Sequence, residues 1–148
     1  MKIRVLGCHG SQLLHHRTTS FLLDQNILVD AGTVTPVLTL PQQMRIDYIL
    51  VTHAHLDHVR DIMFLADNLY YAGRKKPLVV LSSRGIIDSI HRHLLNNVIW
   101  PDFTRIPDRR APLIRFEALS PGRKKTVGSW QVRALRVHHT VETLGFLM

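Results

Sequence analysis

One apolar strand ending in a packed group of metal-ligand side chains constrains this chain more than any other feature. Ile46 to Thr52 is a near-continuous apolar run, of the kind a sheet buries on both faces. Directly behind it, His53-Ala54-His55-Leu56-Asp57-His58 places three imidazoles and a carboxylate in six positions. Neutral imidazole nitrogen and carboxylate oxygen are the usual protein ligands for zinc and similar divalent ions. In an extended segment His53 and His55 point to the same side. Asp57 and His58 fall at the turn, where they can face a second ion. In a chain with 10 His among 148 residues, such density reads as a metal site rather than a solvated histidine-rich loop. Layered α/β proteins assemble sites at the C-terminal ends of their strands, and that is the expected class.

The rest of the chain supplies elements to match. Lys2 to Leu6 alternates charged and apolar residues, which predicts a strand with one solvated face. The loop to Arg17 carries His9, His15 and His16, which can reach a metal only if the loop folds inward. Thr19–Leu23 and Ile27–Val29 read as a hairpin around Asp24-Gln25-Asn26. Asp30 follows three apolar residues, where a carboxylate is costly to bury alone. It is either a turn-former beside Gly32 or a group that orients a metal-bound imidazole. Pro36 and Pro41 limit any helix between Thr35 and Met44 to a short one. Leu56 to Tyr70 has helical apolar spacing and predicts one amphipathic helix. Gly73 to Pro77 reads as an exposed turn with solvated charges.

Leu78–Leu81 reads as a further buried strand, followed by a helix capped by Ser82 or Ser83 and running to about Asn96. His91 and His93, two apart, face different directions and are expected at the surface. Trp100 to Pro107 is an aromatic loop that either lines a substrate pocket or covers a core edge. Leu113–Leu119 is a strand, Ser120–Lys125 a turn and Trp130–Val137 an alternating strand ending in His138-His139-Thr140. Another strand opens at Gly145.

Length implies a single domain over residues 1–148. Hydrophobic residues at 45% and charged residues at 20% describe a globular chain. The net charge of +8 suits either simple solubility or an anionic partner, nucleic acid or a phosphate-bearing small molecule. From Pro101 onward nine Lys or Arg stand against four Asp or Glu, which leaves +5 of that excess. The lone Cys8 excludes an internal disulfide and is expected as a small buried hydrophobe. The first residues turn to Gly, Cys and His too soon for a signal peptide, and no run approaches the ~20 apolar residues of a membrane span. The expected location is the cytoplasm, with no membrane partner.

His53, His55, Asp57 and His58 stand as His-x-His-x-Asp-His, which resembles the hallmark of the metallo-β-lactamase superfamily. Ile27 to Gly32 resembles its strand ending in aspartate and glycine, and Val137 to Thr140 its next histidine segment. Arg17 to Phe21, Thr52 to Val59, and His139-Thr140-Val141 with Gly145-Phe146 are similar to the class II cyclic-nucleotide phosphodiesterase branch.

The resemblance implies the N-terminal half to two-thirds of a four-layer αββα fold. It implies that His53, His55 and His139 hold a first ion, and that Asp57 and His58 contribute to a second. His138 is the alternative to His139 should the loop shift by one residue. Asp30 then becomes the orienter of an imidazole, and Asp57 a candidate proton acceptor. The implied cofactor is zinc, one ion or two, with manganese or iron(II) as alternatives. The implied substrate is a small anionic phosphodiester such as a cyclic nucleotide, with RNA, as in tRNA 3'-end processing, as the rival. A non-catalytic metal-binding half-domain is a further rival. Val59-Arg60-Asp61 stands where the superfamily has a glycine, and no aspartate or histidine follows His139 to complete the second ion's ligands. The resemblance therefore predicts a C-terminally incomplete domain, a fragment or a short form completed by a second copy as a homodimer.

Overall fold

The computed structural model describes residues 2–148. Its first half is a hairpin followed by parallel crossovers: β1 (Ile3–Gly7), β2 (Ser20–Leu23), β3 (Ile27–Val29), α1 (Leu40–Gln43), β4 (Tyr48–Leu50), α2 (Leu56–Val59), α3 (Asp61–Tyr71), β5 (Leu78–Ser82) and α4 (Arg84–His93). The second half is mostly strand: β6 (Pro107–Asp108), β7 (Ala111–Pro112), β8 (Ile114–Ala118), β9 (Lys124–Val127), β10 (Trp130–Arg136) and β11 (Leu144–Leu147).

Six strands form the main sheet in the order β1-β2-β3-β4-β5-β8, and β11-β10-β9 form a second sheet. β3, β4, β5 and β8 run parallel, while β1 and β2 join antiparallel. Parallel strands are covered on both faces, and all five residues of β5 are buried accordingly. Val127, Val132, Ala134 and Leu144 of the second sheet share one buried cluster with the main sheet, α3 and α4. The result is a layered α/β core with the C-terminal ends of β3 and β4 side by side.

Several expectations need correction. β1 lacks a clean solvated face: Ile3 and Val5 are 54% and 56% exposed, because as an edge strand it is bordered by β2 alone. The predicted helix from Leu56 to Tyr70 divides at Arg60, where the Asp61 N–H leaves the helical ladder and donates to the Ala31 carbonyl at 2.8 Å. The predicted turn at Ser120–Lys125 runs into β9, whose Lys124-Lys125-Thr126 face outward and bury only Val127. Cys8 is exposed rather than buried. Arg74, expected in solvent, has a buried side chain: it donates to the Met44 carbonyl at 2.8 Å, the Lys76 carbonyl at 2.7 Å and Asp47 at 2.9 Å. His91 is only partly exposed and meets the buried Asp102 at 3.2 Å. The Trp100–Pro107 loop covers a core edge, with Phe103 buried and Trp100 edge-on to Phe64 at 5.1 Å. Among the described residues no helix is long and apolar enough to cross a membrane.

Asp61, at the start of α3, ties that helix to the loop after β3. Its Oδ2 accepts from the Val34 and Thr35 N–H groups at 2.7 and 2.8 Å and from the Thr35 hydroxyl at 3.0 Å. Asp61→Ala strands these donors in a buried setting and is expected to cost about 3 kcal/mol in urea unfolding.

Burial alone would raise the Asp47 carboxyl, but hydrogen bonds and charge from Lys76 and Arg74 hold it below the ordinary 3.8. A depressed carboxyl contributes stability that is present above the unfolded value and lost as pH falls through the folded one. Asp47→Asn should therefore lower the thermal midpoint at pH 7 and flatten its decline below about pH 4.

Candidate metal centre

The centre begins with the turn after β3. Asp30 has a left-handed backbone, φ 58°, which aspartate tolerates better than most residues. Its N–H donates to the Leu50 carbonyl at 2.9 Å, so the ends of β3 and β4 are stitched together. The buried carboxylate accepts from the Thr52 N–H at 2.8 Å, the Thr52 hydroxyl at 2.8 Å and His58 Nδ1 at 2.7 Å. The Ala31 N–H then donates to the His58 carbonyl at 2.7 Å. At Gly32 a β-carbon would run into the Asp57 carbonyl oxygen, so only glycine lets the first turn of α2 come this close.

These contacts fix where the rings stand. His53 is buried, and its ring centroid lies 4.0 Å from that of His58, 4.7 Å from His55 and 4.8 Å from His139. His55 and His139, both exposed, are 5.8 Å apart. Asp57 reaches His58 Nε2 at 3.4 Å. His139 is brought in by the second sheet, whose Leu144 N–H donates to the Thr52 carbonyl at 2.9 Å. His139, and not the exposed His138, is the ring that faces His53 and His55. The loop of His9, His15 and His16 passes near Asp57, but His9 and His16 stack on one another at 4.2 Å instead.

Electrostatics separate the rings. Burial, with the neighbouring His58 adding to it, lowers His53 from 6.5 to about 4, so it is neutral at pH 7; its Nδ1 meets the Thr52 hydroxyl at 3.0 Å. Burial would lower His58 too, but the hydrogen bond and charge of Asp30, helped by Asp57, raise it above 6.5. Among the described residues no group of three or more His, Cys, Asp or Glu side chains is arranged to hold a metal ion as it stands. The donors fit a divalent ion in kind and in proximity; their present orientations do not converge.

The sequence profile of the class-II cAMP phosphodiesterases matches residues 11–142. The chain belongs to that family. It is 29% identical over 93 residues to 3',5'-cyclic-nucleotide phosphodiesterase 1 of Saccharomyces cerevisiae, an alignment covering 62% of this chain and 24% of the yeast protein. It is 32% identical over 150 residues to ribonuclease Z of a Bradyrhizobium species, covering 95% of this chain and 47% of that protein. The chain thus spans between a quarter and a half of the length of these relatives. In three dimensions it superposes on yeast PDE1 with a TM-score of 0.77 at 18% identity, covering 97% of this chain and 59% of that one. A metallo-β-lactamase fold protein of Bacillus subtilis, YhfI, gives 0.72 at 20% identity, with 97% and 56% covered. At these identities the likeness shows the fold, and the fold is that of the metallo-β-lactamases.

Sequence reading missed the contact of Asp30 with Thr52 and the clamp made by Asp61. The Asp-x-Gly spacing before Thr33 was the available signal for the first; the second had none. Asp30→Ala should cost about 2–3 kcal/mol by leaving the Thr52 N–H and His58 unpartnered. Asp30→Asn, which keeps the backbone conformation and one acceptor, should recover part of that loss in chemical denaturation.

Proposed function

We propose that this chain carries the histidine-rich part of a metal-dependent phosphodiester hydrolase centre whose substrate is a cyclic nucleotide. The observation that supports it most is the neutral, buried His53 ringed by His55, His58 and His139 within 5 Å of its centroid. A neutral imidazole presents a nitrogen lone pair to a cation. His53, His55 and His139 would hold one ion, while Asp57 and His58 would contribute to a second. Zinc is the best match to nitrogen-rich ligands, with manganese or iron(II) as alternatives. Such an ion, when bound, lowers the pKa of a bound water and neutralises charge on phosphoryl oxygens.

The chain's own residues have distinct parts in this reading. Asp30 holds the His58 ring by Nδ1, which leaves Nε2 as its outward nitrogen. Asp57, partly exposed and 3.4 Å from that nitrogen, would be the carboxylate that accepts a proton from the attacking water. The charge of +8 favours an anionic substrate. It also supports a second reading, cleavage of RNA, because the ribonuclease Z relative aligns over 95% of this chain.

Zinc titration by calorimetry should show binding that His53→Ala abolishes. His55→Ala, at an exposed position, should weaken binding without touching the core. Unaltered binding in both would sink the site. Hydrolysis of bis-p-nitrophenyl phosphate by the zinc-loaded chain, followed by competition with a cyclic nucleotide or a structured RNA, separates the two substrate readings.

A further inference from the structure

Glu142 lies in the loop between β10 and β11, the loop that carries His139. The base of that loop is well tied: the Val137 N–H donates to the Thr143 carbonyl at 3.2 Å, and the Leu144 N–H to the Thr52 carbonyl at 2.9 Å. Its tip is not. A cleft of about 150 Å³, lined by His55, Ile86, Ser89 and Val141 among others, separates the tip from α4. Glu142 spans that cleft, and its carboxylate occupies the space that a β-carbon on Gly85 would take.

Two features of α4 explain why a carboxylate sits there. The helix is capped by the Ser83 hydroxyl, which accepts from the Ile86 N–H at 3.2 Å, yet its first turn contains no acidic residue. Its last turn has His91, Arg92 and His93, so the C-terminal end of the dipole is matched locally and the N-terminal end is not. Helix N-termini favour negative charge, and Glu142 supplies it from another part of the chain. Gly85 is the residue that leaves room.

We infer that Glu142 is a positioning residue: it seats on Gly85 in the first turn of α4 and thereby holds the His139 loop against His53 and His55. The consequence for metal binding rests on the function proposed above; the seat itself does not. The two are separable by experiment. Alanine in place of glycine normally strengthens a helix, but here the added methyl takes the place of the carboxylate. In the metal-free chain, Gly85→Ala and Glu142→Ala should each speed hydrogen exchange at the Val137 and Leu144 amides, the hydrogen-bonded N–H groups at the base of the loop. The double variant should be no faster than Glu142→Ala alone, because the seat is already empty.

Zinc affinity of each single variant should fall roughly ten-fold, as for other groups that orient a ligand. Unchanged exchange in both single variants, or additive effects in the double, would overturn the inference. A wild-type chain that binds no zinc overturns the metal reading, while the exchange measurement still decides the seat. Zinc binding by all variants with equal affinity would show that the seat does not position His139.

Discussion

The buried carboxylate of Asp30 is the constraint on which the rest of the centre depends. A carboxylate that is 2% exposed at the end of an apolar strand must be satisfied by its neighbours. Here they come from two other segments: the backbone and hydroxyl of Thr52 at the end of β4, and the ring of His58 in α2. Its left-handed backbone turns the chain so that the Ala31 and Gly32 peptides meet α2 directly. One residue therefore sets the spacing of two parallel strands and the position of the helix that follows the second.

Histidines collect at this junction because both sheets end there. β4 delivers His53 and His55, α2 delivers Asp57 and His58, and β10 delivers His139 from across the core. The bond from Leu144 to Thr52 ties the second sheet to the same strand end that Asp30 holds. Burial keeps His53 neutral, and the three imidazoles around it add to that, because a charge on the buried ring would face any charge on its neighbours. Membership of the class-II cAMP phosphodiesterase family gives this crowding a chemical context.

Much of the centre was legible because its spacing is local. Period-two alternation and a strand–turn–helix pattern put His53, His55, Asp57 and His58 within one short segment, and no long-range information was needed to group them. The same locality exposed the buried strands β4 and β5 and the amphipathic run of α2 and α3. Arg74 and His91 were misread for the opposite reason. A charged side chain in a turn or on a helix reads as solvated unless its partner is known, and their partners, Asp47 and Asp102, lie 27 and 11 residues away. Cys8 was misjudged likewise, since its burial depends on what covers the loop after an edge strand.

The sequence by itself determined the layered α/β class, the buried strands β4 and β5, and the grouping of His53, His55, Asp57 and His58 in one short segment. Those follow from periodicity and residue chemistry, which act over a few residues. Tertiary structure alone decided that Asp30 would meet His58 rather than another ring, that His139 and not His138 would face the cluster, and that His9 and His16 would stack on each other. It also decided that a glycine in α4 would receive a carboxylate from a loop 57 residues later, between Gly85 and Glu142. Periodicity states which face a residue occupies; only the packing of distant segments states what it faces.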